Sequence, residues 1–117
     1  MTHPLRIAVI GVGHLGRHHA RILSTLDGAS LVGVVDVKTD RAAEIATAFG
    51  TAVVGDARDL LDRVDAVSVA VPTESHLAVA LPFLERGIPV LVEKPLARSV
   101  AEADRLIEAA GRSGAVL

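Results

Sequence analysis

Leu5-Arg6-Ile7-Ala8-Val9-Ile10 runs straight into Gly11-Val12-Gly13-His14-Leu15-Gly16, and Asp36 closes the next apolar run 20 residues after Gly16. The glycine spacing alone is a common accident; a strand before it, a helix after it and an acid about 20 residues on give it meaning. Leu5 to Ile10 has the nearly unbroken apolar character of a parallel strand buried on both faces. From His14 the period changes. Leu15, His19, Ile22 and Leu26 recur at helical spacing, Ala20 and Leu23 widen the stripe, and Asp27-Gly28 supplies a stop. Leu31 to Val35 then reads as a second strand. In such a loop Gly11 permits a tight turn, Gly13 lets the backbone approach an anion, and Gly16 lets helix and strand pack closely. Free N–H groups at the positive end of the helix, around His14 and Leu15, would hold a pyrophosphate. Asp36 is placed to accept hydrogen bonds from an adenosine ribose and to repel a 2′-phosphate, which favours NAD over NADP; Lys38, two residues on, opposes that preference. A plainer reading of the same residues has glycines that only make turns and an Asp36 that only ends a strand.

Composition narrows the classes. A chain of 117 residues is one domain, large enough for a core but small for an enzyme with a separate substrate module. Half of its residues are hydrophobic and only two are aromatic, so the core must be built from Val, Leu, Ile and Ala. A net charge of −2 leaves no electrostatic footprint for nucleic acid. With no cysteine, disulfides, thiolate metal sites and cysteine nucleophiles are excluded. The first apolar run breaks at His14 and Arg17, too soon for a membrane span and without a signal-peptide pattern, so the expectation is a soluble, cytoplasmic protein.

Strand and helix patterns alternate onward. Thr39-Asp40 is expected to cap a helix with the stripe Ala42, Ile45, Ala46 and Phe49, ended by Gly50. Ala52 to Val54 reads as a short third strand, Asp56 to Asp62 as one or two helical turns, and Ala66 to Val71 as a fourth strand. The fourth helix is expected from Glu74 to Arg86, with a distortion near Ala78 to Pro82, since an interior proline costs about 3 kcal/mol unless the helix kinks. Pro89 to Val92 is a fifth strand; Ser99-x-x-Glu102 opens a last helix with a capping-box pattern, stopped by Gly114. Ala115-Val116-Leu117 begins another apolar run and reads as a sixth strand cut short. The alternation predicts a doubly wound, three-layer α/β/α fold on a parallel sheet of about five strands plus that truncated sixth.

Strand four ends in Val71-Pro72-Thr73-Glu74-Ser75-His76, and strand five in Glu93-Lys94-Pro95-Leu96-Ala97. Ligands of such sheets bind outside the carboxyl ends of the strands, where Gly11 to Gly16, Asp36, Thr73, His76, Glu93 and Lys94 are all expected to gather. Over essentially the whole chain these motifs (G-x-G-x-x-G, the strand-end Asp, P-T-x-x-H and above all E-K-P) resemble the N-terminal NAD(P)-binding Rossmann domain of the Gfo/Idh/MocA oxidoreductases. The resemblance implies hydride transfer at a carbinol carbon of a sugar, cyclitol or related substrate. It implies that Gly11, Gly13 and Gly16 hold the pyrophosphate, and that Asp36 holds the adenosine ribose. Thr73, His76 and Glu93 would surround the nicotinamide ribose, Val71 and Pro72 are cofactor-binding candidates beside them, and Lys94 is the catalytic candidate at the reacting hydroxyl. It also implies a cis Lys94-Pro95 peptide. From the residues themselves, His76 equally suits a cap or packing group, Lys94 a solvated lysine, and Glu93 a structural partner of Lys94 or of a backbone amide. His14 and His18 stand at i and i+4 without an evident third metal ligand, so no metal is expected, and His18 and His19 read as packing or solvating the first helix.

Family members continue into a second domain that supplies most of the substrate pocket. Residues 1–117 therefore read as a dinucleotide-binding domain without its substrate domain, expected to bind cofactor with little or no turnover. Surface meant for that domain would favour self-association, with no membrane or nucleic-acid partner. Two other readings stand beside it: a free-standing NAD-binding or sensing module, and a structural protein that keeps the fold without the ligand.

Overall fold

Alternate residues of the first strand feed opposite cores, and that alternation makes the architecture. In a computed structural model, which describes residues 3–117, strand β1 (Leu5–Ile10) is followed by helix α1 (Gly16–Thr25), strand β2 (Ala29–Val35) and helix α2 (Thr39–Phe49). A short 3-10 helix at Ala57–Leu60 leads to β3 (Ala66–Val69); another at Thr73–Ser75 runs into α3 (His76–Glu85), followed by β4 (Val90–Val92) and α4 (Val100–Ser113). Val9 packs with Val12, Ala20, Val34, Ala42, Ile45 and Ala46 beneath α1 and α2. Its neighbours Ala8 and Ile10 join Val67, Val69, Leu60, Phe83, Leu84 and Leu106 beneath α3 and α4. These are the three layers of the doubly wound α/β fold.

The strands are all parallel and ordered β2-β1-β3-β4. Four expectations are corrected here. The third strand is reduced to one parallel bridge, Val53 beside Val34. The sixth amounts to a single hydrogen bond, Val90 N–H to the Val116 carbonyl at 2.9 Å. The fourth helix is broken not around Pro82 but where the 3-10 turn meets His76; α3 passes through Pro82, because the carbonyl that loses its donor belongs to exposed Ala78, where solvent replaces it. Thr39 lies within the first turn of α2 instead of capping it. The last helix follows its expected signals: Ser99 Oγ accepts from the Glu102 N–H at 3.2 Å, and Gly114 closes the end with φ of 80°. Among the described residues no helix is long and apolar enough to cross a membrane.

Candidate functional site

Because the strands run parallel, Ile10, Val35, Val69 and Val92 all deliver their following loops to one edge. The loop after β1 is locked from behind. Gly11 holds φ of 90°, and a Cβ there would lie 2.7 Å from the Ala70 carbonyl oxygen. Gly11 N–H bonds to the Val35 carbonyl at 2.7 Å, and Ala70 N–H to that of Ile10 at 2.8 Å, tying loop to sheet. At Gly16 a Cβ would stand 1.6 Å from the Gly11 oxygen, so only glycine lets α1 start this close to the strand. Gly13 differs: its Cβ would meet no backbone, only the Arg41 guanidinium at 2.9 Å. Among the described residues the amides of Gly13, His14 and Leu15 meet no acceptor, and they lie at the N-terminal, positive end of α1. A cradle closed toward the protein and open outward, lined by free donors, fits a pyrophosphate.

Asp36 is drawn into the same structure. One oxygen accepts from Val12 N–H at 2.9 Å and the other from Lys38 N–H at 2.8 Å, and the side chain is 7 % exposed. The strand-end acid therefore shapes the glycine loop, and lone pairs remain for a ligand. Arg41 Nη1 lies 3.8 Å from it. Sequence reasoning missed Arg41, since a lone arginine in a first helical turn carries no signal of its own.

Val71, Pro72 and Thr73 form the turn after β3, with Pro72 exposed and the other two half-buried. His76 is 1 % exposed, its Nε2 3.0 Å from the Val71 carbonyl and its Nδ1 3.1 Å from that of Leu96. The ring is thus committed to bracing two edge loops against each other. Lys94 is exposed beside Glu93, and Lys94-Pro95 is cis.

Glu93 has a partner the sequence reading did not assign. Its Oε1 is 2.8 Å from His19 Nε2, while His19 Nδ1 is 2.6 Å from Ser68 Oγ. Two signals were available: a histidine within the apolar stripe of the first helix, and a serine inside an apolar strand. His14 and His18 meet edge to face, ring centroids 5.8 Å apart. Desolvation, followed by the positive charges of Arg17 and Arg21, lowers the His18 pKa. A mostly apolar groove of about 520 Å³, lined by Ile22, Leu23, Val67, Leu91 and Val116 with His19 and Ser68 in its wall, lies apart from the glycine loop.

Residues 5–117 match the family described as "Oxidoreductase family, NAD-binding Rossmann fold". UDP-N-acetylglucosamine 3-dehydrogenase of Acidithiobacillus ferrooxidans is 43% identical over 103 residues, 88% of this chain and 32% of the relative. Its solved structure covers the whole chain with a TM-score of 0.92 at 42% identity, over 36% of its own length. Inositol 2-dehydrogenase of Rubrobacter xylanophilus is 41% identical over 108 residues, 90% of this chain and 31% of the relative. GenD2 from gentamicin A biosynthesis, solved in complex with NAD, superposes with a TM-score of 0.93 at 37% identity, covering 100% of this chain and 34% of that one. The chain spans about a third of the length of the curated relatives it matches. Fold, glycine loop and relatives converge: the chain belongs to the Gfo/Idh/MocA oxidoreductases, as their NAD-binding Rossmann domain.

Proposed function

We propose that this chain is the cofactor-holding unit of a dehydrogenase acting on a carbinol carbon of a sugar, cyclitol or related substrate. The observation that carries it is the cradle: Gly16 admits no Cβ beside the Gly11 carbonyl, while Gly13 presents open backbone. Gly11, Gly13 and Gly16, with the His14 and Leu15 amides, take the pyrophosphate. Asp36 takes the adenosine ribose. Val71, Pro72, Thr73 and Glu93 flank the nicotinamide ribose, and His76 holds their loops in place. A bound nicotinamide supplies the hydride donor or acceptor. Lys94, charged and exposed at the same edge, favours negative charge developing on a substrate hydroxyl oxygen.

The buried Asp36 carboxylate disfavours a 2′-phosphate, so NAD is the preferred cofactor; Arg41 and Lys38 temper that preference. Proton transfer needs a further group within reach of the carbinol, and Lys94 alone is an incomplete set. These 117 residues are therefore expected to bind without appreciable turnover. Calorimetric titration with NADH and NADPH tests the reading. One saturable site, tighter for NADH and competed by ADP, is expected. Absence of binding ends the nucleotide reading, equal or tighter NADPH ends the preference, and robust sugar dehydrogenation ends the claim of inactivity.

A further inference from the structure

Ser68, His19 and Glu93 form a hydrogen-bonded chain that starts inside the sheet and ends at its carboxyl edge. Ser68 pairs across β1 with Val9, is 3 % exposed, and faces α1. The His19 side chain is 18% exposed and that of Glu93 25%, so the histidine is held between an interior hydroxyl and a half-open carboxylate. Order and chemistry superficially resemble a hydrolytic triad, but Ser68 is 3 % exposed within a strand, in the wall of the apolar groove and away from the carboxyl-edge loops. The carboxylate only accepts, so Nε2 carries a proton, and the Ser68 hydroxyl serves Nδ1 whichever way it points. What the chain achieves is immobilisation. A glutamate at a sheet edge otherwise samples many rotamers. With Oε1 held by His19, the second oxygen has no partner among the described residues and is left for a ligand.

We propose that His19, anchored by Ser68, is a positioning residue that presents the free Glu93 oxygen to the ribose diol on the nicotinamide side of a bound dinucleotide. The inference rests on the nucleotide reading above. A ribose diol brings two O–H donors to an acceptor-only group. Register between helix and strand makes the device: His19 lies three residues beyond Gly16, whose contact with Gly11 sets how deep α1 sits.

ADP-ribose carries that distal ribose and ADP lacks it, so the pair isolates the contact. The 117-residue chain and its variants are titrated calorimetrically with both. His19→Asn keeps an acceptor toward Ser68 but is too short to reach Glu93; His19→Gln places an amide N–H near the position of Nε2. His19→Asn is expected to weaken ADP-ribose about tenfold, the size of one charge-assisted hydrogen bond, and to change ADP less than about twofold. His19→Gln is expected to recover most of the loss. Ser68→Ala, which leaves the helix untouched, carries the same comparison if His19→Asn does not fold, with a selective loss of about threefold. Equal weakening of both ligands, no weakening of either, or failure of a folded His19→Gln to recover binding overturns the inference. A wild-type chain that binds neither ligand refutes the nucleotide reading, and this inference with it.

Discussion

Alanine at Gly16 puts a methyl carbon 1.6 Å from the Gly11 carbonyl oxygen and 2.7 Å from its carbon, both backbone atoms. Ordinary C···O contacts begin near about 3.3 Å, so the first turn of α1 must retreat by well over an ångström. Gly11 cannot yield instead, because its N–H is bonded to Val35 at 2.7 Å and it is wedged against Ala70. Overpacking by one methyl costs about 1–3 kcal/mol, and with rigid neighbours on both sides the upper figure applies. At about 2.1 cal/mol/K per residue, 117 residues have an unfolding entropy of about 0.25 kcal/mol/K, so Tm should fall by about 12 °C. Gly13→Ala is the counterpart. Its methyl meets only the Arg41 guanidinium, the far end of a flexible side chain, so Tm should stay within about 4 °C, a shift worth about 1 kcal/mol. On the proposed reading that methyl enters the pyrophosphate's place, so NADH affinity should drop at least about tenfold, or about 1.4 kcal/mol. Circular dichroism melts and NADH calorimetry on both variants decide the matter. A Gly16→Ala melt within about 3 °C of wild type, under about 1 kcal/mol, refutes the packing argument. A Gly13→Ala protein with unchanged NADH affinity refutes the cradle.

Asp36→Asn keeps an acceptor for Val12 N–H, gives up the one for Lys38 N–H and removes the charge, so NADPH should gain on NADH by about tenfold in paired titrations; an unchanged ratio would show that Asp36 does not read the 2′ position. The Asp65 carboxyl is held below its usual pKa by the Arg6 guanidinium and, next, by the Arg6 N–H. Its folded pKa being the lower one, the stability it contributes is complete above about pH 3.9 and is lost as pH falls through the depressed value. Urea midpoints of wild type and Asp65→Asn should therefore differ at neutral pH and converge in acid; a gap that widens in acid would reverse the sign. Phe83 is 1 % exposed in the core beneath α3 and α4, and Phe83→Ala should cost about 3–5 kcal/mol in chemical denaturation. A loss below about 1 kcal/mol would mean that the site collapses around the missing ring.

What could be read in advance followed from local chemistry. Ile7 to Ile10, the helix after Gly16, the Ser99 cap and the Gly50 and Gly114 stops all declare themselves over a few residues, although Leu15, Ile22 and Leu26 of the expected stripe are exposed and Gly16 and Ala20 are the buried residues of α1; parallel crossovers then oblige the strand-end loops to share one edge. Where the readings slipped, a distant partner decided. Ala70 and Val71 have strand composition, yet the Val71 carbonyl is taken by His76 and the chain turns away. Ala52 to Val54 has it too, yet only Val53 bridges to β2. At the site, Gly11, Gly16 and Asp36 were legible because their spacing encodes their geometry. Asp36 bonding inward to Val12 was not, nor was the link from Ser68 through His19 to Glu93. Both depend on how deeply α1 and its loop settle on the sheet, which no sequence interval states.

An amide-resolved NMR titration of the ¹⁵N-labelled chain with NADH tests the central claim most directly, because it reports location as well as binding. Saturable shifts should concentrate at Val12 to Gly16, at Asp36 and Lys38, at Val71 and Thr73, and at Glu93 and Lys94, and should leave Ile22, Leu91 and Val116 in the apolar groove still. Shifts confined to that groove, or none at all at saturating NADH, would contradict a dinucleotide site at the carboxyl edge of the sheet.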